Sequence, residues 1–394
     1  MRTVTPGTRG RGKDVRRKVA LVMGLTDTYE HGIARGVVRY AKTRKHWDLY
    51  GYGWMFRPFD ALEVWDGDGI IARVESAPDA ARLERLAVPV VDVAGAWFSP
   101  LFWAVSNDDE ATGRRAGEYL VSCGFPRFAY CGVAHTQWSE KRKQGFFEAV
   151  RGVDPAPSVF EESLPWWERL DSKGRLRRWL AGLRRPIALF ACNDTAGLKL
   201  AGLCRDLGIP VPDSAAILGV DNEDILCEMT YPSLSSIELD CEEIGYRAAA
   251  LLDQVMTGGA QPRRPDRAIV VPSRGVVERE STRAYAGDDR LVQDAMRHIW
   301  AHGTEPLGIP ELLAVIPASR RSLETRFKKA TGRTLKQEIV RVRLAHARAL
   351  LRTSRLTVAD VASRSGFGSA QRFHETFLAA EGIPPGKYRR TAGI

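Results

Sequence analysis

The sequence predicts an α/β domain followed by a smaller all-α domain that contains two helix-turn-helix units. Short apolar runs alternate with helical stretches up to about residue 280, which is the pattern of a parallel sheet wrapped by helices. Beyond Leu307 one helical pattern occurs twice, each time as a short helix, a tight turn and a second helix ending on an aromatic residue. The net charge is +9 over residues 287–394, +6 over residues 1–18 and −5 over the body between them. A basic helical domain on an acidic body favours nucleic acid as a partner.

Composition limits the class of protein further. Residues 1–18 form a tail rich in Arg, Gly and Thr, and this composition predicts disorder. The six cysteines are scattered without a C-x-x-C pair, which favours reduced, buried thiols over a zinc site or a disulfide framework. There is no run of eighteen apolar residues and no apolar stretch typical of a secretion signal. We therefore expect a cytoplasmic protein without a membrane partner, a metal or a cofactor.

The strands and helices of the body follow from its periodicity. Strands are predicted at residues 19–23, 69–72, 88–93, 128–131, 188–192 and 216–220. Helices are predicted at residues 31–42, 112–122, 141–150, 195–207 and 242–256. Gly124, Gly208 and Gly258 follow three of these helices as C-terminal stops. Because ligands of open sheets bind beyond the carboxyl ends of the strands, the polar residues there are candidate ligand contacts.

The spacing of apolar residues defines the two helix-turn-helix units. Leu323 and Phe327 lie four residues apart, as do Phe373 and Phe377, so each pair buries one helix face and leaves the opposite face in solvent. Residues suited to caps and turns occur at Ser319 and Ser369, at the capping pair Thr357 and Asp360, and at Gly366. A continuous helix between the units is predicted by apolar residues spaced four, three and four apart, at Val340, Leu344, Ala347 and Leu351.

The solvent-facing residues at the start of each second helix are candidates for reading base edges in the DNA major groove. They are Arg320, Arg321, Glu324 and Thr325 in the first unit, and Ala370, Gln371, His374 and Glu375 in the second. A rigid helix between the units would hold the two reading helices one DNA turn, ~34 Å, apart. An ion pair with Glu324 inside the helix is an equally ordinary fate for either arginine.

The C-terminal region resembles the DNA-binding domain of AraC/XylS-family transcription regulators. The matching residues are Ser319, Leu323, Arg326, Phe327, Arg343, Ala347, Leu350, Leu351, Val361, Ala362, Gly366, Phe367, Phe373, Phe377, Pro385, Tyr388 and Arg389. Leu313, Pro317 and the apolar residues 378–380 depart from the family pattern. The resemblance implies that double-stranded DNA is the partner of residues 290–394.

The body, residues 19–280, resembles the two-lobed effector domain of LacI-type repressors and periplasmic sugar-binding proteins. Matching motifs include residues 105–108, 122–125, 193–194, 207–212, 219–222 and 232–237. The resemblance implies a type I periplasmic-binding-protein-like fold. Segment 281–289, which contains Thr282, Ala284, Ala286 and Gly287, is typical of a linker that lets the DNA-binding domain swing. The resemblance also makes Asp108, Arg142, Asn193 and Asp221 the expected sugar contacts.

Sugar chemistry agrees with these residue types. Sugar hydroxyls both donate and accept hydrogen bonds, so carboxylates, amides and a guanidinium suit them, with aromatic rings over the C–H faces. The expected aromatic platforms are Trp138 and Trp167, with Trp97 and Trp103 as weaker candidates. The polar residues could instead cap loops, and the tryptophans could instead belong to the core.

A two-lobed sensor ahead of an AraC-type domain resembles, as a whole, the activators of D-xylose catabolism. This implies a homodimer in which a small sugar closes the lobes and alters DNA binding, with RNA polymerase as a further partner if the protein is an activator. Two alternatives remain. The body could only oligomerise and sense nothing, or the chain could be an enzyme, although no HExxH, G-x-S-x-G or P-loop motif is present.

Overall fold

The computed structural model describes residues 16–44, 46–52, 62, 65–86, 88–96, 99, 101–163, 166–167, 173–258 and 269–391. It divides the chain into two compact units, each built from separate stretches of sequence. The first comprises Met1–Thr112, Ala134–Arg142 and Glu238–Gly275, and the second comprises Gly113–Val133, Lys143–Ile237 and Val276–Ile394. Trp97 and residues 1–15 of the basic tail lie outside the described residues.

A six-stranded parallel sheet forms the core of the first unit. Its strands are β1 (Arg17–Val22), β2 (Trp47–Tyr52), β3 (Gly69–Ala72), β4 (Val90–Asp92), β5 (Trp103–Asn107) and β11 (Ile269–Val271). They lie in the order β11-β5-β4-β3-β1-β2, and each adjacent pair is parallel. The inner strands β3 and β4 are buried throughout, as expected for a sheet covered on both faces. Helices α1 (Thr28–Arg44), α2 (Ala77–Glu84) and α8 (Cys241–Met256) belong to this unit.

A second six-stranded sheet belongs to the second unit. Its strands are β6 (Phe128–Val133), β7 (Ser158–Glu162), β8 (Ile187–Ala191), β9 (Ala215–Val220), β10 (Ser235–Glu238) and β12 (Gly275–Val277), in the order β12-β10-β9-β8-β6-β7. Pairing is parallel from β10 through β9, β8 and β6 to β7. The other helices of the body are α3 (Asp109–Ser122), α4 (Gln137–Val150), α5 (Lys173–Gly182), α6 (Asp194–Asp206) and α7 (Asp224–Met229).

The chain beyond Asp289 is helical. Its helices are α9 (Arg290–His302), α10 (Ile309–Val315), α11 (Arg320–Thr331), α12 (Leu335–Thr353), α13 (Val358–Arg364), α14 (Ala370–Glu381) and α15 (Pro385–Thr391). None of the helices described here is both long enough and apolar enough to cross a bilayer. The continuous helix predicted between the two helix-turn-helix units is α12, which we call the connecting helix.

The strands and helices predicted for the body all occur, with ends displaced by at most four residues. The six cysteines are buried free thiols, as predicted. Periodicity did not predict β2, β7 and β10, and of these β2 and β7 lie at the edges of their sheets. An edge strand can face solvent, and Tyr50 in β2 and Val159 in β7 are indeed exposed, so no continuous apolar run identifies these strands. β11 and β12 are three residues long, too short to show a period.

Helices α1 and α8 cross so closely that glycine is required at the contact. A Cβ atom at Gly36 would lie 2.0 Å from the carbonyl oxygen of Glu242, and one at Gly245 would lie 2.0 Å from that of Ile33. Both obstacles are helix backbone, which cannot move aside as the end of a side chain can. The glycines therefore set the distance between the two helices and hold α8 against the first sheet's unit.

We expect Gly36→Ala to destabilise the protein by about 1–3 kcal/mol, because the added methyl group overpacks the helix crossing. Urea denaturation of the first unit's transition measures this. The matched control is Gly202→Ala in α6, where a Cβ would meet nothing within 4 Å. That change should be neutral or stabilise the helix by up to ~1 kcal/mol. Equal effects of the two substitutions would contradict the close crossing.

Candidate functional site

The first helix-turn-helix unit consists of α10 and α11. The Ser319 hydroxyl accepts a hydrogen bond from the amide of Ser322 at 3.3 Å, which confirms the predicted N-cap. The turn passes through Pro317 without a left-handed residue, and the amide of Ala318 donates to the carbonyl oxygen of Ile316 at 2.8 Å. The proline is thus compatible with the turn, although it replaces the residue type usual in the family.

The predicted reading residues of α11 lie at its solvent-facing side. Arg320, Arg321 and Thr325 are exposed, and Glu324 is partly exposed. The guanidinium Nε of Arg320 donates to Glu324 at 3.0 Å, so the intrahelical pair considered from the sequence is present. Arg321 has no ion pair among the described residues. Of the two arginines, Arg321 is therefore the one whose guanidinium is available to a base.

The second helix-turn-helix unit consists of α13 and α14, and it repeats this arrangement with a different turn. Ser369 caps α14 by accepting from the amide of Arg372 at 3.2 Å, and Thr357 forms the predicted capping box with Asp360. Gly366 has φ +76°, and a Cβ there would lie 2.6 Å from the carbonyl oxygen of Thr304, so the turn requires glycine.

The predicted reading residues of α14 are all exposed. They are Ala370, Gln371, His374 and Glu375. The amide nitrogen of the Gln371 side chain donates to Glu375 at 3.0 Å, which orders two of them along the helix. The triplet 378–380 that replaces basic residues of the family is exposed as well.

The connecting helix α12 lies in both hydrophobic cores of this region. Its first half contributes Leu335, Ile339 and Val342 to a core that also contains Leu323 and Phe327. Its second half contributes buried residues to a separate core, and these are Leu344, Ala347 and Leu351. In that second core Phe373 packs on Phe367 and Phe377, with ring centroids 5.1 and 5.4 Å apart. One helix thus fixes both reading units.

Arg142, a predicted sugar contact in the first compact unit, forms a buried ion pair. Nε of Arg142 donates to Oδ1 of Asp109 at 2.8 Å, and both side chains are at least nine-tenths buried. The Arg142 guanidinium also lies over the half-buried ring of Trp138, 5.0 Å from its centroid. Burial raises the pKa of Asp109, and the adjacent Arg142 opposes that shift. A guanidinium, a carboxylate and an indole face are thereby held together.

Two other predicted contacts serve as helix caps. Oδ1 of Asp108 accepts from the amide of Ala111 at 3.0 Å at the start of α3. Oδ1 of Asn193 accepts from the amide of Ala196 at 2.9 Å at the start of α6. This is the loop-capping role that the sequence left open for them, and it accounts for both residue types without a ligand.

Asp221 lies on a strained loop directly after β9. Its φ is +104° and that of Asn222 is +52°, conformations that cost on the order of 1–3 kcal/mol each for residues other than glycine. The buried side chain of Asp194 holds this loop in place. That carboxylate accepts from Ser236 Oγ at 2.6 Å and from the amide of Glu223 at 2.8 Å. Strain at the carboxyl end of a strand is typical of a functional loop.

Burial raises the pKa of the Asp194 carboxyl group to about 7, and hydrogen bonds from Ser236, the Glu223 amide and Cys227 oppose that shift. Because the folded pKa lies above the ordinary value, this group favours the folded state at low pH. That contribution is lost as the pH rises towards 7.

Trp167 and Trp103 are core residues in this structure. The indole N–H of Trp167 donates to the carbonyl oxygen of Gly132 at 3.1 Å, and its ring packs edge-on against Trp166 at 5.1 Å. Trp103 is buried in β5. Of the predicted aromatic platforms within the described residues, Trp138 alone retains partial exposure beside a predicted polar contact.

The sequence does not single out Asp109 as a site residue, and it indicates Asn107 only as one of the polar residues at strand ends. Both belong to the polar run at the end of β5, but nothing in the sequence says which of three consecutive polar residues turns inward. Asn107 is buried, its amide nitrogen donates to the Tyr29 hydroxyl at 3.4 Å, and its Oδ1 accepts no hydrogen bond within the described residues. A buried acceptor without a donor costs free energy, which makes Asn107 a further candidate for a ligand hydroxyl.

The segment predicted as a linker, 281–289, is docked on the second sheet's unit at its start. Ser281 is fully buried, and its hydroxyl donates to the carbonyl oxygen of Ile217 at 2.6 Å. The Thr282 hydroxyl hydrogen-bonds with Ser235 Oγ at 2.7 Å and with the Tyr119 hydroxyl at 2.8 Å. These contacts hold the beginning of the segment to the body, in contrast to the freely swinging linker expected from its sequence.

Known proteins match most of this chain. Residues 18–103 match the XylR N-terminal domain, residues 118–282 a periplasmic binding protein-like domain, and residues 312–391 a helix-turn-helix domain. The xylose operon regulatory protein of Escherichia coli (strain K12) is 27% identical over 393 residues, covering 95% of this chain and 97% of that protein. Its counterpart in Haemophilus influenzae is 26% identical over 94% of this chain and 98% of that protein.

Solved structures agree. The structure of the xylose-binding transcription activator XylR has a TM-score of 0.61 at 27% identity, covering 95% of this chain and 98% of that chain. The chain is a transcription regulator that resembles XylR over nearly its whole length. The complex of the regulator CelR with cellobiose is 23% identical with a TM-score of 0.54, covers 68% of this chain and 86% of that chain, and shows the shared fold.

These relatives confirm the fold class and both resemblances predicted from the sequence. They are transcription regulators, so the prediction that the chain is not an enzyme is confirmed and the enzymatic alternative falls away. The helix-turn-helix domain makes DNA a partner, and the chain is a sugar-responsive regulator.

We expect Arg142→Ala to destabilise the protein by about 3–5 kcal/mol, because it leaves the buried Asp109 carboxylate without its partner. The double variant Arg142→Met with Asp109→Leu removes both charges and should recover most of that loss. Chemical denaturation of the three proteins gives the comparison. If the double variant were as unstable as the single one, the buried pair would not be the cause.

Proposed function

We propose that the chain is a cytoplasmic homodimer that activates a sugar-catabolic operon when a xylose-like sugar binds to its body. The observation that carries the proposal is the cluster of Arg142, Asp109 and Trp138 on the same chain as two exposed reading helices. A guanidinium fork, a carboxylate and an indole face are the groups that recognise sugar hydroxyls and C–H surfaces. The names of the full-length relatives point to the same chemistry.

Arg142 and Asp221 are the side chains we propose as direct sugar contacts, with Trp138 as the aromatic platform. Asp108 and Asn193 follow as weaker contacts because each already caps a helix. Trp167 contributes by supporting the second sheet's unit through its bond to Gly132.

The proposed dimer rests on the free energy of binding to two DNA half-sites. Two linked readers bind two half-sites with a high effective concentration for the second contact, which raises affinity without new contacts. An activator bound in this way would present a surface to RNA polymerase. Sedimentation of the full chain should show a dimer, and a monomer at concentrations that saturate DNA would contradict it.

We expect Arg321→Ala to weaken binding to specific DNA by ~1–3 kcal/mol if its guanidinium forms a bidentate contact with guanine. Arg320→Ala should cost less, because Glu324 already engages that side chain. The probe is a duplex selected by the full chain from a random pool, titrated by fluorescence anisotropy. The charge-matched control is Arg297→Ala in α9, whose side chain is exposed. Equal losses for Arg321→Ala and Arg297→Ala would mean that only net charge matters.

We expect Asp221→Asn to weaken sugar binding about tenfold or more, because a charge-assisted hydrogen bond contributes ~1.5–3 kcal/mol. Asparagine tolerates the positive φ at this position, so the fold should be retained. The measurement is the shift of Tm over a titration with D-xylose and a panel of other pentoses and hexoses, and Asp213→Asn is the control in an exposed turn.

The sugar titration also separates the alternatives. If no sugar shifts the Tm of the native chain, the sugar part of the proposal is wrong and the alternative in which the body only oligomerises is favoured. If the native chain responds to a sugar and Asp221→Asn and the Arg142 variants respond equally, these residues are not the sugar contacts.

A further inference from the structure

The connecting helix α12 ends on an arginine that contacts the body. Nη2 of Arg352 donates to Oδ1 of Asp224 at 2.5 Å, and the Arg352 side chain is only 15% exposed. Asp224 opens α7 and follows the strained Asp221 and Asn222 by two residues. The helix that fixes both DNA-reading units therefore touches the loop that carries a proposed sugar contact.

A second arginine holds the same loop from the body. Nη2 of Arg279 donates to Oδ1 of Asn222 at 2.9 Å and lies 3.4 Å from Oδ1 of Asp224. The backbone amide of Asn222 donates to Ser236 Oγ at 3.0 Å. Two arginines thus contact Asp224 Oδ1. Arg279 also hydrogen-bonds to Asn222 in the loop, and Arg352 belongs to the connecting helix. A displacement of the loop would change both contacts at once.

The connecting helix has another, deeper ionic anchor. Arg341 pairs with Glu278 at the end of β12 and with Glu338 on its own helix, and both carboxylates are buried. The Tyr119 hydroxyl also donates to Glu278, at 3.1 Å. Arg341 and Arg352 lie three turns apart on one side of the helix, roughly 17 Å along its axis. Two ionic contacts therefore hold the connecting helix to the body, a buried one at Arg341 and a partly exposed one at Arg352.

We propose that the contact between Asp224 and Arg352 transmits the position of the loop after β9 to the connecting helix, with Arg341 and Glu278 as the fixed point. The inference rests on the proposed function, because it takes Asp221 as a sugar contact. A sugar that draws Asp221 towards it moves Asp224, which moves or releases the end of the helix. Both reading units respond together because both cores are built on that helix. Arg352 acts as a positioning residue and touches neither sugar nor DNA.

The test is the coupling factor, defined as the ratio of the Kd for selected duplex without sugar to that with saturating D-xylose. Arg352→Gln and Asp224→Asn should each bring this factor at least about threefold closer to one, within the usual range of allosteric coupling. The double variant should lose no more than either single one, because the two residues act through one contact. Arg352→Lys keeps the charge and should recover part of the coupling.

Glu228→Gln is the matched control on α7. Glu228 pairs with Arg279 at 2.9 Å and is as exposed as Asp224, but it does not contact Arg352. Its coupling factor should equal that of the native chain. Tm should stay unchanged in Arg352→Gln, which a merely structural arginine would not allow.

The outcomes separate this inference from the proposed function. A native chain whose DNA affinity ignores D-xylose contradicts the proposed xylose-like effector. A native chain that responds, with Arg352→Gln responding equally, overturns the contact as a transmitter and leaves the proposed function intact. Additive losses in the double variant, or a fall in Tm that accompanies Arg352→Gln, would also overturn it.

Discussion

The connecting helix, Leu335–Thr353, is the element on which the DNA-binding part of this molecule depends. Its apolar residues belong to two separate cores, so neither helix-turn-helix unit can pack without it. Short helices such as Ile309–Val315 and Val358–Arg364 are too short to be stable alone. Tertiary burial on the shared helix supplies what their own hydrogen bonds cannot. The separation and orientation of the two reading helices are therefore properties of one rigid element.

The body shows how polar residues at strand ends serve two purposes. Asp108 and Asn193 satisfy the open amides of α3 and α6, which any helix at this position requires. Arg142 and Asp221 are different, since one is held buried by Asp109 and the other lies on a strained loop braced by Asp194. Burial of a charge and backbone strain both lower the stability of the folded protein, and residues that carry them are typical of functional sites.

The elements of this fold differ in how strongly the local sequence specifies them. Buried strands and amphipathic helices were predicted because their side chains obey one period, whereas β2 and β7 were missed because edge strands need no continuous apolar face. The caps at Ser319 and Ser369 were predictable because capping is local in sequence. Contacts between distant residues were not, since no local pattern reports them.

The site illustrates the same limit. Arg142 came from a resemblance, but its partner Asp109 lies 33 residues away and became visible only in three dimensions. The docking of Ser281 and Thr282 was likewise hidden, because small polar residues are typical of linkers as well as of buried hydrogen-bonded turns. The residue type of Trp167 predicts an aromatic platform, and only the hydrogen bond from its indole N–H to Gly132 identifies it as a core residue.

The two ionic contacts of the connecting helix differ in a way that suits different roles. Glu278 and Glu338 are buried around Arg341, and separating such a cluster leaves uncompensated charge, so this contact resists change. Asp224 is 61% exposed, and ion pairs with an exposed partner contribute little net free energy because water and salt compete for them. A weak contact can be made or broken by the modest differential affinity of a small ligand, whereas a strong one cannot. A helix fixed firmly at its middle and loosely at its end can therefore pivot without leaving the body.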